Sequence, residues 1–124
     1  MHDLEGVLGP DMIRFVDANV RSLLTWDILV FFHKNPEAVV DIQGLASRLG
    51  RRAEDIEPEI APLCESGILQ CAGGLARYKP SPDMRDAVSC FVDACADKGR
   101  RLALIALVLH NINPRPQSQP PASV

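Results

Sequence analysis

Four cysteines (Cys64, Cys71, Cys90 and Cys95) and three histidines (His2, His33 and His110) have the widest chemical reach in this chain. The cysteines show no C-x-x-C spacing and have no histidine close in sequence to complete a zinc finger, so no metal site is expected. In a reducing compartment such cysteines are free thiols that pack as small apolar side chains. A redox sensor needs an exposed thiolate of low pKa, and Cys71 is the residue placed to supply one. No histidine stands beside a Ser or Cys nucleophile in sequence, although folding can assemble such a pair from a distance. His33 and His110 fall near the C-terminal ends of expected helices, where a cation suits the helix dipole. The acidic pairs Glu54/Asp55 and Glu57/Glu59 read as a solvated helical face rather than as paired catalytic carboxylates. Gly73-Gly74 is followed by neither Lys-Ser/Thr nor a helix, so it does not form a phosphate cradle. The chain is therefore not expected to be an enzyme, and no cofactor is expected.

Composition sets the frame for these residues. A chain of 124 residues with 47% hydrophobic content suits one domain with a real core. The formal net charge is −3, whereas DNA-binding modules usually carry a basic excess. The longest apolar runs, 28–32 and 102–109, fall well short of the roughly 20 residues that cross a bilayer. MHDLEGVLGP has no cationic region ahead of an apolar run and does not read as a secretion signal, so a cytoplasmic protein without membrane contact is expected.

The expected fold class is α+β, mainly α, with residues 1–10 as a flexible leader, 11–112 as the folded domain and 113–124 as a Pro-rich disordered tail. Gly9-Pro10-Asp11 starts a helix, and Ile13, Val16, Val20, Leu23 and Leu24 recur at helical spacing. Lys34-Asn35-Pro36 ends this stretch, which is either one helix or two broken between Asn19 and Thr25. Asp41 caps a second helix that carries Ile42, Leu45, Ala46 and Leu49 on one face and closes at Gly50. A third helix spans about Ala53 to Ser66, with Ile56, Ile60, Leu63 and Cys64 inward. Pro58 and Pro62 lie inside it and each removes a backbone donor, so a distorted or bent helix is expected. Gly73-Gly74 between two short runs reads as a hairpin. Ser81-Pro82-Asp83 opens the last helical stretch, with a polar interruption at residues 97–101.

These pieces resemble bacterial winged helix-turn-helix regulators of the MarR-like kind. The resemblance is carried by Leu45-Ala46-Ser47-Arg48-Leu49-Gly50, Glu54-Asp55-Ile56, Leu63-Cys64-Glu65-Ser66-Gly67-Ile68-Leu69 and a wing ending in Tyr78. Trp26 to Phe32 looks like the helix that precedes such a module, and the long helix after the wing looks like one that builds a dimer interface. The resemblance implies a winged helix-turn-helix with long N- and C-terminal helices and a two-stranded wing. It further implies a helix from Ala53 in the major groove and a wing on the backbone or minor groove of double-stranded DNA. The DNA-binding candidates it implies are Arg51 and Arg52 at the start of that helix, Arg77 and Lys79 on the wing, and Gln43 and Ser47 on the preceding helix.

The charges pull against that implication. Residues 53–66 contain no Lys or Arg but carry Glu54, Asp55, Glu57, Glu59 and Glu65, and 41–80 holds five basic residues against six acidic ones. Acids at a groove oppose the counterion-release term that drives DNA binding. Two functions are therefore expected in order: a dimeric DNA-binding transcription regulator, and a winged-helix protein-interaction or assembly module that does not bind DNA. The apolar stretches at Met12–Val20 and Leu102–Leu109 must pack on each other or on a second chain, and a homodimer through helices 11–33 and 83–112 is expected.

Overall fold

In a computed structural model, residues 4–112 form seven helices and a small sheet. Residues 1–3 and the Pro-rich stretch 113–124 lie outside the described residues. Leu4–Leu8, expected as part of a loose leader, instead forms a short helix α1 that packs against the last helix.

The N-terminal helical stretch is two helices. α2 (Pro10–Asn19) begins with Pro10 in its first turn and Asp11 favouring the positive end of the dipole. It stops at Asn19, whose buried amide donates to the Phe15 carbonyl at 3.1 Å. α3 (Leu23–Lys34) starts afresh because Ser22 is a proper cap, its hydroxyl accepting from the Thr25 amide at 3.1 Å. Leu24, Thr25, Trp26, Ile28, Leu29 and Phe32 are all buried on α3, more than one face of a helix can supply to a single neighbour. The reason is its position: it packs against the C-terminal helices on one side and against the second half of the domain on the other.

That second half begins with a strand the sequence reading missed. β1 (Val39–Asp41) pairs antiparallel with β3 (Leu75–Tyr78), which also pairs with β2 (Leu69–Ala72), giving the order β1-β3-β2. The sheet therefore has three strands where two were expected. A three-residue element carries almost no periodicity, and only long-range pairing to β3 makes it a strand. α4 (Ile42–Leu49) follows at once, capped by Asp41, whose Oδ1 accepts from the Gly44 amide at 2.7 Å. It ends at Gly50, left-handed at φ 67°, a conformation that costs other L-residues about 1 kcal/mol. α5 (Ala53–Glu65) continues through Pro58 and Pro62, anchored by buried Ile56, Ile60 and Leu63. The hairpin turn Gly73-Gly74 has φ of 60° and 78°, the doubly positive pair a type I′ turn requires.

The last helical stretch also divides. α6 (Pro82–Cys95) is capped by Ser81, and α7 (Lys98–Ile112) restarts where Asp97 Oδ2 accepts from the Arg100 amide at 3.0 Å. Phe91 is fully buried at the centre of this half, 5.2 Å from the Trp26 ring and 5.8 Å from that of Phe15. Around it Val16, Val20, Leu104, Leu107 and Val108 close the core. The apolar stretches that needed a partner have thus largely found each other inside one chain.

Candidate functional site

The six candidate residues lie on α4, in the α4–α5 turn and on or just after β3, and their environments differ. Gln43 and Ser47 are exposed one turn apart on α4, where both amide and hydroxyl can reach solvent. Arg51 leaves the α4–α5 turn and points back to α3, its Nη2 3.2 Å from Asp27 Oδ2. Arg52 folds onto the first turn of α5, with Nη2 3.5 Å from Glu54 Oε2 and Nε 3.6 Å from Asp55 Oδ2. Both guanidinium groups are exposed, so these pairs are worth at most about 1 kcal/mol each, but their charge is locally met. Arg77 and Lys79 have no ion-pair partner among the described residues. Arg77 stands on the outer face of the central strand, opposite Val39 and Gln70. Lys79 is fixed only by its backbone, which donates to the Ile68 carbonyl at 3.2 Å. The structure thus pairs off the two cations at the start of α5 and leaves the two at the sheet open.

The solvent side of α5 is acidic. Glu54, Asp55, Glu57 and Glu65 are exposed, together with Pro58 and Ala61. Glu59 is different: its Oε1 accepts from the buried Thr25 hydroxyl at 2.7 Å and ties α5 to α3. Because the single Thr25 proton goes to Glu59, Ser22 is the donor in the 3.1 Å contact between the two hydroxyls. From Glu54 to Glu65 the acidic side runs about 16 Å along the helix at 1.5 Å per residue.

Sequence reasoning treated the cysteines as free thiols, and for two of them the structure overturns this. Cys64 near the end of α5 and Cys71 on β2 form a disulfide, with Cα atoms 6.1 Å apart. The signal was available: a helix end, the Ser66-Gly67 turn and a strand together send the chain back on itself, which brings the second cysteine alongside the first. Cys71 also lines an apolar cleft of about 250 Å³ between the start of α4, Ile60 and the hairpin. Cys90 is exposed, and burial pushes the half-buried Cys95 thiol from its ordinary 9.0 to about 11, against the lowering effect of Arg101 and Lys34.

His33 and Tyr78 couple the two halves of the domain. His33 Nδ1 lies 3.4 Å from the Tyr78 hydroxyl, and the Arg85 guanidinium sits 5.6 Å from the Tyr78 ring. Burial raises the Tyr78 hydroxyl above its ordinary pKa, with Arg85 working the other way. Among the described residues no cluster of His, Cys, Asp and Glu has the geometry to hold a metal ion. No helix of the described residues is long and apolar enough to cross a membrane.

The chain matches no protein-family model, no curated protein and no solved structure.

Proposed function

We propose that this chain is a winged helix-turn-helix module that docks on a basic protein surface through the acidic side of α5. The order helix, strand, helix, helix, hairpin, with β3 central in the sheet, supports the winged-helix reading that the sequence resemblance implies. The observation that carries the choice of partner is the exposed face of α5. It presents Glu54, Asp55, Glu57 and Glu65 and no cation, while Arg52 is drawn onto two of those acids. A helix of this charge entering the major groove would set carboxylates against phosphates and lose the counterion-release term that supplies most DNA affinity. Against a Lys/Arg-rich surface the same charges steer association and favour the correct partner.

DNA binding is the second reading, and Arg77 and Lys79 favour it because both are exposed without an ion-pair partner among the described residues. In that reading the transcription regulator holds DNA by its wing, and Gln43 and Ser47 add neutral phosphate contacts. Homodimerisation belongs to either reading. Its remaining support is the exposed line of Leu102, Ala106 and Leu109 on α7, one turn or two apart on one side of the helix.

Fluorescence anisotropy at low salt separates the two partners, with a labelled generic DNA duplex and a labelled Lys/Arg-rich peptide as probes. The protein-docking reading expects salt-sensitive binding of the peptide, lost in Glu54→Gln/Glu57→Gln/Glu65→Gln, and no binding of the duplex. Salt-sensitive duplex binding that disappears in Arg77→Ala/Lys79→Ala would overturn it in favour of DNA.

A further inference from the structure

We propose that Cys64 and Cys71 form a reversible thiol–disulfide site, at which a small-molecule thiol such as glutathione sets whether the β2–β3 hairpin is tied to α5. Three observations lead there. The bridge is reachable, since Cys71 is exposed and β2 is an edge strand, paired only with β3. The turn it spans has other ties of its own. The Ile68 amide donates to Leu63 at 3.1 Å, the Gly67 amide to Cys64 at 3.2 Å, and buried Leu63, Ile68 and Leu69 anchor the same turn. Those contacts hold the two cysteines, seven apart in sequence, at bridging distance whichever state the sulfurs are in. A bridge with an exposed cysteine, across a turn that has other ties, belongs with the labile disulfides rather than with the buried structural ones.

The chemistry balances with the thiol alone. A glutathione thiolate attacks Sγ of Cys71, the more exposed residue of the pair, forming a Cys71–glutathione mixed disulfide and releasing Cys64 as thiolate, which takes up a proton. A second glutathione thiolate attacks the glutathione sulfur of that mixed disulfide. Oxidised glutathione leaves and the Cys71 thiolate is protonated. Two electrons pass from two glutathiones to the protein disulfide, and the reverse sequence with oxidised glutathione restores the bridge.

The consequence is local. Reduction removes the disulfide cross-link between α5 and β2 and leaves the turn contacts in place, so the cleft lined by Cys71, Ile60 and Gly73-Gly74 loses one fastened wall. β3 stays paired with β1, so the loosening is confined to the β2 edge and the Gly73-Gly74 turn.

The test equilibrates the native chain in glutathione buffers of increasing reduced fraction, quenches with a mass-tagged maleimide and maps the labelled peptides. Cys90→Ser/Cys95→Ser carries only the two thiols of interest and should pass from none to two labels across the series, then back on reoxidation; the same pair is mapped directly in the wild-type chain. Far-UV circular dichroism should stay unchanged, and amides of Cys71 to Gly74 should exchange on the order of 10-fold faster in the reduced protein. Three results would overturn the site. They are labels that appear only after denaturant is added, labels present at every glutathione ratio, and loss of the helical spectrum on reduction.

Discussion

The hydrogen bond between Thr25 and Glu59 decides how much charge α5 shows to a partner, and its worth can be set from the geometry. Thr25 is 1% exposed and its hydroxyl reaches Glu59 Oε1 at 2.7 Å, a short bond to an ionised acceptor. Such bonds contribute about 1.5–3 kcal/mol, and the lower end applies here because the Glu59 carboxylate keeps some contact with water. Thr25→Val preserves shape but removes both the donor to Glu59 and the acceptor of the Ser22 hydroxyl, so a loss of at least about 1.5 kcal/mol is expected, or roughly 6 °C in Tm for a domain of this size, and only the double-variant cycle isolates the Glu59 part. Urea unfolding followed by circular dichroism measures it, with an unchanged m-value showing that the unfolded state is not the cause. Glu59→Ala and the double variant complete a cycle in which a coupling of about 1 kcal/mol is expected. A coupling below about 0.3 kcal/mol would refute the tie. Glu59 would then join Glu54, Asp55, Glu57 and Glu65 on the exposed side.

Two further outcomes follow from residues already placed. Cys95 keeps its proton to about 11 in the folded chain, whereas an unfolded chain begins to lose it near the ordinary value of 9.0. Its contribution to stability is therefore complete below pH 9.0 and falls as pH rises toward about 11. Tyr78, whose pKa is also raised, adds a decline of the same sign. Urea midpoints measured across that range should fall in the wild type and fall less in Cys95→Ala; equal slopes would remove Cys95 as the cause. Leu102→Glu/Leu109→Glu should abolish self-association seen by light scattering while leaving the helical spectrum intact. A wild-type chain that is monomeric at high micromolar concentration would end the homodimer proposal.

Much of the helical plan was legible because its punctuation is local. Pro10, Asp41, Gly50, Ser81 and Pro82 act on their own turn, and each start or stop stands where its chemistry puts it. The break after Asn19 was left open between one helix and two. The missing information was tertiary, because Asn19 turns back on Phe15 only when α2 packs against α6 and α7. β1 escaped for a similar reason: Val39 and Val40 become a strand by pairing with Arg77 and Ala76, more than thirty residues away. The site was legible only as residue types. Nothing local says that Arg51 reaches Asp27 across 24 positions or that Thr25 meets Glu59 across 34. The Cys64–Cys71 bridge was the nearest miss, since helix, turn and strand were each expected and only their closure was not drawn.

The prolines of α5 bear on its function in a way that charge alone does not. Pro58 and Pro62 each withhold the amide that would bond the carbonyl four residues back, leaving those of Glu54 and Pro58 without a helical donor. Pro inside a helix costs about 3 kcal/mol against Ala, so two of them require strong anchoring elsewhere. Ile56, Ile60 and Leu63 supply it on the buried side. The open carbonyls belong to exposed residues, Glu54 and Pro58, where water or a partner's donors can reach them. Carbonyls that lack their helical donor and carboxylates are all acceptors, and acceptors are what a Lys/Arg-rich surface satisfies and a phosphate backbone does not. In the protein-docking reading proposed above, backbone and side chains of α5 therefore suit the same partner, one rich in donors and positive charge.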